Sequence, residues 1–424
     1  MAKVKEVDSE PDFQGLALRL GGIFRPSTPI DSERLFCGRT VQVRDVVDAI
    51  NQRGRHAILY GEAGVGKTSL GNILRTKLTA IEQVPILSTL ITCDSDDTYS
   101  SIWNKAFESL GVDGFGVAEA MQANDGEPVV IVLETPQVTP NDVRKALEGV
   151  GQNGILYVII DEFDKIANDH CRKMFADTIK LLSDRAVPAT LLLIGVSDDV
   201  TGLIKDHGSI QRCLAQIHMP RMRREELEEI VKKGLMSVGM SADDTVLLEI
   251  SGLSKGLPNY AHMLALYSGR HALDRKSLRV ASEDVEFAVS DSMRQAQESI
   301  RTNYYKATYS VKKGTLYEPV LLACSMAESD EFGWFQPANV CEPLKKITGT
   351  HLSTDRFAVH LKGFCEDERG PILVRIGGEY RWKYRFKDPM MQPFVTMKGL
   401  ASNTISKADL SLLQDPNGQK RMPF

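Results

Sequence analysis

The sequence predicts an α/β protein: a mostly parallel sheet flanked by helices, then a small all-helical domain, then a C-terminal winged helix-turn-helix. Three observations predict it. Between about residues 35 and 220, short apolar runs alternate with segments of helical spacing. Such alternation gives parallel strands joined by crossover helices. From Pro220 to about residue 310 the strand-like runs stop and helical periodicity takes over. From about 314 to 398, helical segments are followed by two short runs joined at Gly377-Gly378, a hairpin signal.

The elements follow in order. Residues 1–30 read as a flexible lead, a charged start followed by the Gly/Pro-rich GGIFRPSTPI. The core, 31–220, carries the strand runs His56–Tyr60, Val84–Thr92, Leu156–Ile160, Thr190–Ile194 and Gln216–Met219. Leu70, Ile73, Leu74 and Leu78 fall on one helix face between the first two. Val129–Glu134 reads as an inserted strand within a 112–150 insert. The helical domain, 221–310, holds Arg223–Leu235, Thr245–Ser251, Tyr260–Leu273 and Val285–Tyr304. Ser241 and Ser282, each followed by acidic residues, are expected to cap helices. The winged-helix domain, 311–400, comprises Leu316–Ala327, Pro337–Ile347 and a helix from Ser353 or Thr354 to about Cys365. Its hairpin is Ile372–Ile376 with Tyr380–Phe386, and 401–424 is a polar tail.

Composition bounds the function. The 424 residues are 42% hydrophobic and 25% charged, ordinary for a globular chain of two or three domains. The net charge of -5 means that any nucleic-acid binding must come from a local basic patch. Seven scattered cysteines, with no C-x-x-C pair, suit reduced thiols and a cytoplasmic location. The N-terminus lacks an apolar signal core, and no stretch approaches the ~20 apolar residues of a membrane span, so no membrane partner is expected. No zinc site, Ser/His/Asp triad or nuclease carboxylate cluster stands out.

One motif carries chemistry strongly. Gly61-Glu62-Ala63-Gly64-Val65-Gly66-Lys67-Thr68 fits G-x-x-x-x-G-K-[ST] in full, between an apolar strand and an amphipathic helix, and Ser69 continues the cofactor-binding loop. The glycines let successive backbone N–H groups face a phosphate, and the helix start adds its dipole. Lys67 is expected at the β- and γ-phosphates of ATP and the Thr68 hydroxyl on Mg²⁺. Leu156–Ile160 ends in Asp161-Glu162. Asp161 is expected to help hold Mg²⁺, and Glu162 to act as general base on the attacking water. Val129–Glu134 lacks the Asp and is rejected as a competitor.

With these residues the sequence resembles the AAA+ ATPases, and within them the origin-recognition and replication-initiator clade, over roughly residues 30–400. Phe36-Cys37-Gly38-Arg39 resembles the entry segment that lies near the adenine. Ile194-Gly195-Val196-Ser197 resembles the sensor-1 strand, which implies a γ-phosphate contact for Ser197. Ser209-Ile210-Gln211-Arg212 resembles the arginine-finger segment, which implies that Arg212 acts on a neighbouring subunit's ATP in a homo-oligomer; Arg221, Arg223 and Arg224 are competitors. Gly256-Leu257-Pro258-Asn259-Tyr260-Ala261 lines up with the sensor-2 helix, but Asn259 stands where the family has Arg. The resemblance also implies a helical lid for 221–310.

In the last domain Arg381, Lys383, Arg385 and Lys387 alternate with Trp382, Tyr384 and Phe386. Alternation puts the cations on one strand face and the aromatics on the other. Arg356, His360 and Lys362 sit on the expected recognition helix. Arg356, Lys362, Arg381, Lys383 and Arg385 are therefore the expected contacts to double-stranded DNA. The leading expectation is an ATP-driven switch that assembles and engages DNA. The alternative is the same ATPase regulating an effector protein through the winged helix.

Overall fold

The computed structural model describes residues 11–32, 35–79, 86–111, 119–120, 129–130, 137–151, 154–197, 200, 210–312, 314–378 and 381–411. They fall into two compact units, one of Pro29–Arg221 and one of Met1–Thr28 with Met222–Phe424. Helix α1 (Phe13–Ile23) belongs to the latter.

In the Pro29–Arg221 unit, α2 (Thr40–Ile50) leads into β1 (His56–Gly61) and α3 (Lys67–Thr79). Then come β2 (Ile86–Thr92), α4 (Tyr99–Ser109), a short antiparallel pair β3 (Glu119–Ala120) and β4 (Val129–Val130), and α5 (Pro140–Val150). β5 (Ile155–Asp161), α6 (Asp169–Asp184), β6 (Ala189–Val196) and β7 (Leu214–His218) complete it. The sheet order is β2-β5-β6-β1-β7 and every pairing is parallel, as the alternation predicts. β5 and β6 are buried along nearly their whole length, the signature of strands covered on both faces. Residues 131–134 of the expected inserted strand lie outside the described residues; Val129 and Val130 are β4. α4 and α5 begin with reciprocal caps, Thr98 with Ser101 and Thr139 with Asp142. Tyr99, Trp103, Phe163 and Phe175 form one aromatic cluster against the sheet. Because the strands are parallel, β1, β5 and β6 end along one edge, with Gly61 opposite Val196.

The other unit holds α7 (Arg224–Met236), α8 (Asp244–Ser254), α9 (Pro258–Asp274) and α10 (Ser282–Arg294). A two-residue parallel pair, β8 (Ser241–Ala242) and β9 (Arg279–Val280), ties their ends. Ser241 therefore lies in a strand, and Asp243 is the residue preceding α8. Ser282 is the first residue of α10 rather than its cap; the Asp284 carboxylate accepts the Ala281 N–H at 2.8 Å instead. The single helix expected over Val285–Tyr304 is two, α10 and α11 (Glu298–Thr308).

The expectation of a flexible lead is corrected over Phe13–Ile23. Leu20 is fully buried over Gly269, where a Cβ would come within 2.6 Å of it. Phe24 sits on Gly234, where a Cβ would meet its ring at 2.3 Å. Two glycines on α9 and α7 thus make the sockets that fix α1.

Next come α12 (Tyr317–Met326), α13 (Pro337–Thr348) and α14 (Thr354–Gly363), then the antiparallel hairpin β10 (Leu373–Ile376) and β11 (Lys383–Phe386). Phe335 forms an antiparallel bridge with Tyr384 on the edge of β11 away from β10. These are the helices and hairpin expected of 311–400, and α13 runs through Pro343. α15 (Met391–Ala401) packs in the same unit, where the Tyr260 hydroxyl donates to Met390 O at 2.7 Å. The polar tail is folded at its start: α16 (Lys407–Ser411) is anchored by Lys407 to Glu249 at 3.2 Å and Glu286 at 2.9 Å. No helix among the described residues is long and apolar enough to cross a membrane.

Candidate functional site

The loop between β1 and α3 has the backbone an anion nest requires. Gly64 and Gly66 take φ of 80° and 96°, a left-handed region that L side chains resist. Gly61 lies so close to the chain leaving β7 that a Cβ would come 2.4 Å from Met219 O. Lys67 opens α3, buried, with Nζ donating to Gly61 O at 3.0 Å and Glu62 O at 2.7 Å. Burial lowers its pKa to about 8, opposed by the charges of Asp164, Asp161 and Glu62. The buried Arg39 donates to Val65 O at 2.9 Å and props the loop from behind. The Ser69 hydroxyl accepts the Ile30 N–H at 3.0 Å, so it is already engaged by the chain's own backbone.

Asp161, at the end of β5, is buried, which raises its pKa; hydrogen bonds from the Thr68 side chain and the Glu162 N–H oppose the rise. Glu162 has a left-handed backbone, φ 55°, and turns its half-exposed carboxylate to Lys165 at 2.6 Å. Asp164 accepts the Val196 N–H at 2.7 Å, which pins the end of β6 to the turn after β5. Ser197 is the next residue. Lys67, Thr68, Asp161, Glu162 and the strand end bearing Ser197 thus gather at one sheet edge. The donor set suits a nucleotide with Mg²⁺: a cationic nest for phosphate, and a hydroxyl already hydrogen-bonded to a buried carboxylate.

Arg212 is not part of this group. It is exposed in the turn before β7, and since β7 runs parallel to β1 it lies at the opposite sheet edge, 4.0 Å from Asp184. Ser209 lies outside the described residues. Of the competing arginines, Arg223 is mostly exposed near Glu226 and Arg224 pairs with Glu228 at 3.2 Å. Arg221 is nearly buried and grips the Glu62 carboxylate at 2.6 and 3.3 Å. That pair spans 159 residues, and no local signal in the sequence announces it. Asn259 is the second residue of α9; its amide donates to Met390 Sδ at 3.1 Å, and its side-chain oxygen is buried with no hydrogen-bond partner among the described residues.

The C-terminal cations are not equivalent. Arg356 and Lys362 are exposed on α14, with Lys362 3.9 Å from Glu366, and Arg381 is exposed ahead of β11. His360 leaves that face: its ring packs on Tyr317 and burial lowers its pKa. Tyr384 and Phe386 are buried as the alternation predicts. The basic face is not left wholly to solvent, however. Lys383 pairs with Asp330 at 3.2 Å, and the Arg385 guanidinium lies 4.4 Å over Trp334. The cause is the turn at Asp330–Trp334, which the Phe335–Tyr384 bridge draws against β11. Trp382 stays partly exposed, under the Arg375 guanidinium at 4.5 Å, instead of entering the core.

Several solved structures are similar to this chain. The Walker-type ATPase paby2304 of Pyrococcus abyssi is similar at 15% identity, over 88% of this chain and 99% of that one, with a TM-score of 0.52. The ORC1 protein of Aeropyrum pernix, solved in complex with DNA, gives 16% identity, 89% and 96% coverage, and 0.47. Cdc6p of Pyrobaculum aerophilum gives 13%, 91% and 99%, and 0.46. At such identity the first of these bears on fold alone, and it agrees with a parallel α/β sheet carrying a phosphate loop. No curated protein matches the chain. The family model for Novel STAND NTPase 1 matches residues 28–310, more than half of the chain and including the whole loop, Asp161 and Glu162; the chain belongs to that family of NTPases.

Proposed function

We propose that the chain is an ATP-binding and ATP-hydrolysing switch that assembles with copies of itself in a nucleotide-dependent way, and that its C-terminal helices and hairpin act as a winged helix on DNA. The observation that carries the ATPase reading is the convergence of Lys67, Thr68, Asp161 and Glu162 at one sheet edge. Thr68 and Asp161 would hold Mg²⁺, which when bound neutralises charge on the phosphate oxygens. Lys67 binds phosphate as a point charge, and Glu162, close to solvent, takes the proton of the attacking water.

The depressed pKa of Lys67 gives a pH dependence. A lysine lowered from 10.5 to about 8 is increasingly neutral as pH rises through 8. Phosphate favours the ammonium, so binding should draw in protons above about pH 8, and affinity should fall there. Calorimetry at pH 8.5 in two buffers of different ionisation heat would reveal the uptake, and Lys67→Arg should abolish it. Equal heats in both buffers for the wild type would count against the charge assignment.

The DNA reading rests on Arg356, Lys362 and Arg381, which are exposed. Reversing these three charges should weaken duplex binding to a similar degree on unrelated sequences, because phosphate contacts carry little sequence information. It should also flatten the salt dependence by about 0.9 log unit for each phosphate no longer neutralised. The second reading, contact with an effector protein, is favoured by the engagement of Lys383 by Asp330 and of Arg385 by Trp334. Fluorescence anisotropy with ATP present, across a salt series, separates them. Unchanged affinity and slope in a folded triple variant would move the protein-contact reading ahead.

A further inference from the structure

The second residue of the phosphate loop carries a carboxylate. Glu62 is buried, and its charge bears on Lys67, the cation expected to meet the phosphates. Left alone, a buried carboxylate at an anion site opposes the anion it should hold. Arg221 meets it in a two-point grip, Nε to Oε2 at 2.6 Å and Nη2 to Oε1 at 3.3 Å. The backbone brings them together. The Met219 N–H donates to Tyr60 O at 2.7 Å, extending the β1–β7 ladder by a residue, and Met219 O abuts Gly61. The segment leaving β7 is therefore fixed to the first two loop residues, by backbone at Gly61 and by side chain at Glu62. Planar, two-point geometry of this kind is what arginine supplies and lysine does not.

We propose that Arg221 is a positioning residue for nucleotide binding: it neutralises Glu62 and holds the first turn of the phosphate loop, and it does so without contacting the nucleotide. The inference rests on the ATP reading of the loop. It predicts a defect that a second substitution repairs. Arg221→Ala uncovers the Glu62 charge, and ATP affinity should fall about tenfold or more, on the scale of couplings between linked groups. Adding Glu62→Gln removes the uncovered charge, and the double variant should recover to within about threefold of wild type. Arg221→Lys, which keeps the charge but loses the two-point grip, should fall between. In steady-state assays the loss should appear in KM far more than in kcat.

The test is titration of Mg·ATP into each purified full-length variant, with thermal melting to confirm folding. If Arg221→Ala alone does not fold, the double variant, which buries no lone charge, still decides the matter. Recovery in the double variant supports the proposal. A folded double variant that binds more than about tenfold more weakly than wild type overturns it, because the loss in Arg221→Ala would then not come from the uncovered Glu62 charge. Wild-type affinity in Arg221→Ala also overturns it. Lys67→Ala serves as the separate control: wild-type ATP affinity in that variant would sink the ATP reading of the loop rather than the role of Arg221.

Discussion

Lys67→Ala is expected to abolish most ATP binding, and Glu162→Gln to preserve binding while nearly stopping hydrolysis. The lysine ammonium is buried and, among the described residues, hydrogen-bonded to two loop carbonyls, Gly61 O and Glu62 O, a geometry it can leave for a better acceptor. A hydrogen bond to a charged group contributes about 1.5–3 kcal/mol, so its loss should weaken ATP roughly 10- to 150-fold. Glu162 differs in kind. It is half-exposed, bound to Lys165 and outside the glycine nest, so neutralising it should leave ground-state binding nearly intact. A positioned general base typically contributes about 10²–10⁴ in rate, and the Gln variant should lose that much in phosphate release. Titration calorimetry and a phosphate-release assay separate the two effects. Hydrolysis at the wild-type rate by Glu162→Gln would show that another group takes the proton.

Arg212→Ala should bind ATP normally yet hydrolyse it poorly, and should be rescued in mixtures. Arg212 lies at the sheet edge away from its own phosphate loop and extends outward, its side chain 83% exposed. An arginine supplied in trans to a γ-phosphate can contribute roughly 10³–10⁵ in kcat in GTPase systems. Mixing Arg212→Ala with Lys67→Ala places an intact loop beside an intact arginine at one kind of mixed interface, and part of the rate should return. If mixed oligomers form and no ratio restores hydrolysis, the arginine does not act across subunits.

Legibility in the sequence depends on range. The loop Gly61–Thr68 and the Asp161-Glu162 strand end are legible because their chemistry is local: consecutive residues make the nest and the acid pair. β1, β5 and β6 are legible because doubly covered strands become unbroken apolar runs. Pairings between distant residues are not legible. Arg221 to Glu62, Arg39 to Val65 and Asp164 to Val196 shape the site, yet none has a spacing rule that points to its partner. On β11, alternation correctly puts Tyr384 and Phe386 inside, but alternation sets only the side a residue faces. It says nothing of Asp330 and Trp334, which reach that side from another turn. α1 is hidden because its sockets are glycines, which leave no apolar mark in the sequence.

Those sockets bear on where the protein can be cut. The family match begins at residue 28, but Leu20 and Phe24 fill Gly269 and Gly234, which lie inside it. A chain trimmed to the family boundary would lose α1 and open two hollows in α7 and α9, exposing the buried His262 against which Phe24 packs edge-on at 5.8 Å. Any dissection of this protein, or any fusion partner placed at its front, has to treat Phe13–Phe24 as integral to the helices it covers.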